Sequence, residues 1–412
     1  MKGQFEMGCE NHGPLKGLRL TEFTHAWAGP YAGCLLALLG MEVIKVESRA
    51  RVDHTRLMSF STGRHFTDPN QSGAFNNLNL NKKSVSLNLK KPKAVEIAKR
   101  LAAVSDAIME NMRPGVMERL GLDYEAVRRV KPDIVYLSSS ACGQVGPERE
   151  YAGYAPTFAA SAGLSLNTGY EDEHPSNFMG AIDLRSATTA AAALLAALYY
   201  RQRTGRGQYI DLASQETIAM LNGEALMDYF LNKRVRTRRG NRDDVMAPHN
   251  CYRCAGKDNW ISIAVADDKE WQALCRAINR PELESDRRFS DQQARWLHQD
   301  ELDEIITAWT ESRDYYHVME VMQGVGVAAA PSLSAEGLFN DAHIKEREVF
   351  RKVSHPVLGQ NWVIAPPWRL SETPASIRRA PLLGEHNEDV LEGLLGLTSK
   401  ELEELKEQEV IY

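Results

Sequence analysis

An α/β protein built on a parallel sheet is the expectation from this sequence, and three observations carry it. Gly17 to Glu47 has the rhythm of one βαβ unit, an alternating strand, an apolar helix and a second strand. Strand-like and helix-like segments then alternate again as far as Ser138, the pattern of a sheet with helices on both faces. Ser186 to Tyr200 is an uncharged run of mostly Ala, Leu, Thr and Tyr. It suits a buried helix and is shorter than a membrane span, which needs about 20 residues. A chain of 412 residues is too long for one simple core and divides into lobes. We expect a leader over 1–16, a large domain over 17–225, a linker and smaller α/β domain over 226–335, and a returning segment over 336–412.

The elements follow in order. Leu18-Arg-Leu-Thr-Glu-Phe23 reads as the first strand, Pro30 to Leu39 as a helix with Pro in its first turn, and Glu42-Val-Ile-Lys-Val46 as the second strand. The turn His25-Ala26-Trp27-Ala28-Gly29-Pro30 falls between a strand end and a helix mouth, where open α/β sheets bind ligands. Gly29 and Gly33 alone do not make G-x-G-x-x-G, which argues against a nicotinamide dehydrogenase. Asn79 to Lys90 is a basic turn leading into an alternating strand, Lys93 to Ala103 an amphipathic helix, and Ser105 to Glu110 a short strand. Asn111-Met-Arg-Pro-Gly115 is a turn, Val116 to Leu120 opens a helix, and Pro132 to Ser138 is a strand running out into Ser139, Ser140 and Gly143. Arg201, Gln202, Arg203 and Gly205 close the long apolar helix. Beyond Glu216 the charged loop Arg234 to Asn250, a strand near Asn259 to Asp268 and a helix over Lys269 to Ile278 mark the smaller lobe. Ala380 to Asn387 precedes a short polar helix.

Composition narrows the function. Hydrophobic content of 43% and charged content of 25% are those of a globular protein. A net charge of -6 gives no footprint for nucleic acid or an anionic membrane, so a polyanionic ligand needs a local basic pocket. Met1 to Pro14 lacks the apolar core of a signal peptide. Six scattered cysteines make no disulfide framework and fit a reducing cytoplasm. Cys251 and Cys254, with His249 nearby, have no second pair at zinc-ribbon spacing, so no metal is expected.

Asp183 stands at the mouth of the buried helix. One reading is an N-cap, accepting backbone N–H groups for about 1 kcal/mol. The other is a nucleophile held on a rigid element. Taken alone, the residue favours the cap.

The motifs taken together point further. Phe23-Thr-His-Ala-Trp-Ala-Gly-Pro30, Val43-Ile-Lys-Val-Glu47, Asn81 to Lys90, Glu110-Asn-Met-Arg-Pro-Gly115, Arg119-Leu-Gly-Leu122, Thr204-Gly-Arg-Gly-Gln208 and Ala380-Pro-Leu-Leu-Gly-Glu-His386 occur in that order. The series resembles the class III CoA-transferases, the formyl-CoA/carnitine-CoA transferase family, from about Gly17 onward. The α-methylacyl-CoA racemases share most of these motifs. The resemblance implies a Rossmann-like large domain made from both ends of the chain, a smaller α/β domain, and an open-ring chain. It also implies an interlocked dimer, of two copies or with a related chain.

The same resemblance implies CoA thioesters as substrates, an organic acid as acceptor, no permanently bound cofactor and no metal. Its nucleophilic aspartate falls on Asp183. Its CoA-contacting positions fall on His25, Ala26, Trp27, Leu87, Lys90, Asn111, Met112, Arg119 and Ser140. Lys90, Arg119 and Arg49 suit the phosphates of CoA, and Trp27, Leu87 and Met112 suit its pantetheine or adenine. Outside that register, Lys90 and Arg119 would read as solvated charges.

Departures shape the substrate expectation. Formyl-CoA transferases carry Gln where this chain has Trp27, Lys where it has Ser140, and a glycine run where it has Gly240-Asn-Arg-Asp-Asp244. Formyl-CoA and oxalate are therefore not the expected substrates; the resemblance implies succinyl-CoA as donor, and a bulkier acid such as an aromatic succinate (benzylsuccinate is one) is an acceptor class with room. Arg185, Arg242 or His249 are candidates to pair with a second carboxylate. Racemisation needs an acid/base group on each face of the α-carbon. Where racemases have a His-Asp pair, this chain has Ala152-Gly153-Tyr154-Ala155, and a Tyr of pKa about 10 is a poor base. A racemase-like enzyme and a CoA-binding partner subunit of a heteromeric transferase stand as the alternatives.

Overall fold

The computed structural model describes residues 13–58, 63, 65–176, 178 and 181–412. Most of the expected leader, with Cys9, lies outside the described residues. The chain forms two compact units, one from Met1–Ser165, Asn177–Asn232 and Glu346–Tyr412, the other from Leu166–Ser176 and Lys233–Lys345. The boundaries near 233 and 345 replace the expected 226 and 335, and Leu166–Ser176 is an excursion that the sequence pattern did not reveal.

The first unit holds six strands: β1 (Arg19–Phe23), β2 (Glu42–Glu47), β3 (Lys83–Ser86), β4 (Ala107–Glu110), β5 (Val135–Ser140) and β6 (Gln208–Ala213). Their order is β3-β2-β1-β4-β5-β6, with every neighbouring pair parallel. The order reverses between β1 and β4, so their two carboxyl ends splay apart and leave a crevice. On one face lie helix α1 (Ala28–Leu38) and, on the other, α2 (Pro92–Ala103). A short helix, α3 (Val116–Leu120), follows β4, and α4 (Ala181–Thr204) connects β5 to β6.

Strand alternation builds two cores. Leu20, Val43, Met109, Val135 and Leu137 meet Leu36 of α1 and Leu194 of α4. Ile44, Val85, Ile108 and Tyr136 meet Ile97 and Leu101 of α2, and Val390, Leu402, Leu405 and Ile411 complete that layer. Residues from both ends of the chain therefore cover one sheet.

Helix α4 has 24 residues and starts at Ala181, well before the expected Ser186. By length and composition it passes for a membrane span, but one face, with Ala187, Ala190, Leu194 and Ala197, is packed into the unit's own core. Its small residues let it lie close to the sheet. Strand β6 was not expected, although Gln208-Tyr-Ile-Asp-Leu-Ala213 alternates. The hairpin of Phe350–His355 and Gly359–Ile364 was also missed.

The second unit carries an antiparallel three-stranded sheet of β7 (His249–Arg253), β8 (Trp260–Ala264) and β9 (Ala328–Pro331). Tyr252, Ile261 and Ile263 face Trp271, Leu274, Ile306 and Met322 from its helices. Cys254 is in this core, while Cys251 points from the other face of β7 with its thiol 3.8 Å from Ser332 Oγ. The two sulfurs do not converge on one ligand set.

Candidate active site

Both α1 and α4 are crossover helices running against parallel strands, so both begin at the carboxyl edge of the sheet. That topology puts Asp183, third residue of α4, on the same edge as the turn after β1. Asp183 lies within the first helical turn and is not the cap. Among the described residues its carboxylate has no hydrogen-bond or ion-pair partner, and burial pushes its pKa up to about 6. An acid of this kind is half ionised near pH 6 and mostly ionised at neutrality, and its charged form is poorly solvated.

The turn Thr24–Trp27 is anchored from three sides. His25 N–H donates to Asn111 Oδ1 at 2.8 Å, and Asn111 Nδ2 donates back to the His25 carbonyl at 2.8 Å. This joins the loops after β1 and β4 across the crevice. Ala26 sits at φ +65°, a strained conformation for a residue with a Cβ, and its N–H reaches Asp53 Oδ1 at 3.3 Å. Lys45 Nζ donates to the Thr24 carbonyl at 2.5 Å. Burial brings the His25 imidazole down to about 4, so it is neutral at physiological pH. Trp27, half-buried, leads into α1.

Beneath this turn lies a buried ion network. Lys82 binds Glu22 at 2.7 Å, and Lys45 lies 3.8 Å from Glu22 and 3.4 Å from Asp53, all four side chains within 1% of full burial. Arg56 grips Glu47 bidentately at 2.8 Å on both arms. Gly29 and Gly33, which make no dinucleotide fingerprint, serve close approach: a Cβ on Gly29 would come 2.9 Å from the Asn111 amide carbon and one on Gly33 1.9 Å from Glu22 Oε2. Lys45, Glu47 and Lys82 of the Val43–Glu47 and Asn81–Lys90 motifs thus point charge inward.

The other expected positions divide. Met112 follows Asn111, and its N–H donates to Glu110 Oε2 at 2.7 Å. Ser140 ends β5 with a buried Oγ that has no partner among the described residues. Lys90 and Arg119 are exposed on loops and on α3, and Arg49 stands 5.9 Å from the Tyr412 ring. Leu87 requires a correction. Its side chain is 0% exposed inside the α2 core and does not cover a ligand, and its N–H donates to the Glu47 carbonyl at 2.7 Å.

Arg242 pairs with Asp300 and lies 3.7 Å from Asp303. His249 Nδ1 lies 2.6 Å from the Asn241 carbonyl, and Arg185 is exposed. The charged Gly240–Asp244 loop is tied to its own flank, with Asp244 binding Arg236 at 2.9 Å and also Arg239. Tyr154 is 75% exposed. Glu110 and Asp53 were missed as supports; the cue for Glu110 was a carboxylate ending an otherwise apolar strand.

The sequence profile of CoA-transferase family III matches residues 15–387. The chain belongs to CoA-transferase family III. A succinyl-CoA–D-citramalate CoA-transferase of Chloroflexus aurantiacus is 35% identical over 97% of this chain and 98% of its own length. A succinyl-CoA–L-malate CoA-transferase beta subunit of the same organism is 32% identical over 97% and 98%. Among solved structures, a CAIB/BAIF family protein from Brucella suis superposes with a TM-score of 0.83 at 27% identity, covering 93% of this chain and all of that one. Membership in family III makes this chain an enzyme, a CoA-transferase, whose substrates are CoA thioesters.

Proposed function

We propose that this transferase takes CoA from succinyl-CoA and passes it to a short dicarboxylic or hydroxy-dicarboxylic acid, with Asp183 as the covalent nucleophile. The observation that carries this reading is the Asp183 carboxylate itself, half-buried and without a partner among the described residues, on the first turn of a rigid core helix. The acceptor class rests on the relatives, which are named for citramalate and malate.

The chemistry balances without a metal or external base. Asp183 attacks the succinyl thioester carbonyl, the C–S bond breaks, and a mixed anhydride forms with free CoA thiolate. The thiolate attacks the Asp183 carbonyl and expels succinate, giving an aspartyl-CoA thioester. The acceptor carboxylate attacks that thioester and releases the thiolate, which then takes the acyl group from the second anhydride and frees Asp183. Each tetrahedral oxyanion needs fixed donors, and the unpaired N–H groups of the first turn of α4 suit that role. His25, Ala26, Trp27, Asn111, Met112, Lys90, Arg119 and Ser140 form the proposed CoA-binding set.

The protein acts in the cytoplasm as a dimer in this reading, interlocked as the family resemblance implies, with a second copy or a related chain. Met220, Phe230 and Leu231 support a partner, since they are 72%, 62% and 73% exposed on one segment. The test is intact mass after incubation with succinyl-CoA alone, followed by hydroxylamine trapping. A trapped adduct on Asp183 supports the reading and an unmodified protein overturns it. Citramalate, malate and benzylsuccinate then serve as acceptors in one screen.

A further inference from the structure

We propose that a basic cavity at the amino-terminal edge of the parallel sheet binds a small multivalent anion, a phosphate or a short dicarboxylate, away from the CoA turn at the opposite edge. The cavity encloses about 550 Å³, within the size of small-ligand sites. It is built where β1, β2 and β3 begin, at Arg19, Glu42 and Lys83, and is closed by Arg378 to His386 from far along the chain.

Charge is the first argument. Six basic side chains line the cavity against two acidic ones, on a chain whose net charge is -6. Ion pairing does not remove the excess. Glu42 is shared between Arg19 at 2.6 Å and Lys83 at 2.8 Å, Lys83 also reaches Asp389 at 2.7 Å, and Glu385 takes Arg379. Lys82 turns inward onto Glu22. Among the described residues the Arg378 guanidinium has no hydrogen-bond or ion-pair partner, and it is exposed at the cavity wall.

Preorganisation is the second. Arg378 N–H donates to Asn81 Oδ1 at 2.6 Å, Asn81 N–H donates to the Arg378 carbonyl at 3.3 Å, and Asn81 Nδ2 holds the Ser376 carbonyl at 2.7 Å. Asn81 adopts φ +65° to make these contacts. The Ser84 N–H donates to His386 Nδ1 at 3.3 Å, which leaves the proton on Nε2 as a further donor of the lining. Burial lowers the His386 pKa, so this donor is neutral. The backbone that carries Arg378 is therefore fixed at the cavity wall, so an arriving anion has only that side chain to order, in a concave site whose cations focus potential.

The experiment is titration calorimetry and thermal shift of the full chain with inorganic phosphate and with malonate, at constant ionic strength and with saturating free CoA. Wild type is expected to bind one of them saturably, and whichever binds more tightly names the source chemistry. Arg378→Gln, at an exposed side chain, should weaken that binding about tenfold, the loss of one charge-assisted contact. Lys400→Gln, the same charge change on an 88%-exposed side chain, should leave it unchanged. No binding by wild type, binding abolished by CoA, or equal losses in the two variants would each overturn the proposal.

Discussion

Asn111 and His25 are joined by two hydrogen bonds of 2.8 Å, the side-chain amide of one meeting both backbone groups of the other. Because a primary amide carries a donor and an acceptor in one plane, Asn111 imitates a neighbouring strand and closes the gap that strand reversal leaves between β1 and β4. Gly29 leaves the space for it. The proposed CoA turn is thus held by a residue that the chain reaches eighty-six positions later.

From this follows the first prediction. Asn111→Ala should weaken CoA binding about tenfold and cost about 1–3 kcal/mol of stability, since two buried backbone groups lose their partners. Asn111→Asp keeps the acceptor and should fall between. Calorimetry with free CoA and urea unfolding measure the two effects; an unchanged CoA affinity would detach this turn from CoA recognition.

Asp183 should set the acid limb of the reaction. With its pKa raised to about 6 by burial, the attacking carboxylate is mostly protonated at pH 5 and mostly ionised at pH 7. Single-turnover adduct formation should therefore rise with pH, half-maximal near 6. Asp183→Asn should lose about a thousandfold or more in transfer. Its folded pKa lies above the unfolded value, so ionisation costs stability as pH rises through 6. The variant should accordingly melt no lower than wild type at pH 7.5, and a clear loss of melting temperature would indicate a structural role.

Glu110 gives a separable pH effect. Burial pushes its carboxyl up to about 7 from 4.5, so its contribution is complete below 4.5 and is lost as pH rises through 7, about 3 kcal/mol in all. Glu110→Gln keeps an acceptor for the Met112 N–H and cannot ionise. Urea unfolding from pH 5 to 8 should fall less steeply for the variant, and parallel curves would rule the effect out.

Glu22 tests the buried network. Glu22→Gln leaves Lys82 without a counter-ion in the interior, while Lys45 keeps Asp53 at 3.4 Å, and should cost about 3–5 kcal/mol. Glu125→Gln, at a 65%-exposed partner of Arg128, should change stability by about 1 kcal/mol or less. Chemical denaturation of the two variants compares them directly; similar small losses would mean that water reaches Glu22.

Local pattern marks β1, α1, β2 and α2 well, because α2 shows a helical stripe and the others are short apolar runs bounded by turn residues. It failed at β6, where Tyr209 and Asp211 look like a loop until Tyr136 and Ser138 of β5 are beside them. Leu87 failed differently. Its place after a strand is compatible with a ligand contact, and only packing with the α2 layer puts its side chain inside. The pairing of Arg242 with Asp300, fifty-eight positions on, is likewise visible only in the fold.

The linear order of residues by itself determined the α/β class, the two-lobed organisation, the family and Asp183 as the residue to test, since these rest on local pattern and motif order. Tertiary structure alone decided which charges are buried and paired, which glycines make room for side chains, and where a basic cavity opens. Glu22 and Lys82 are sixty residues apart, Asn81 and Arg378 nearly three hundred. Burial and charge pairing depend on distance in space, and the sheet, by bringing strand ends together, sets those distances.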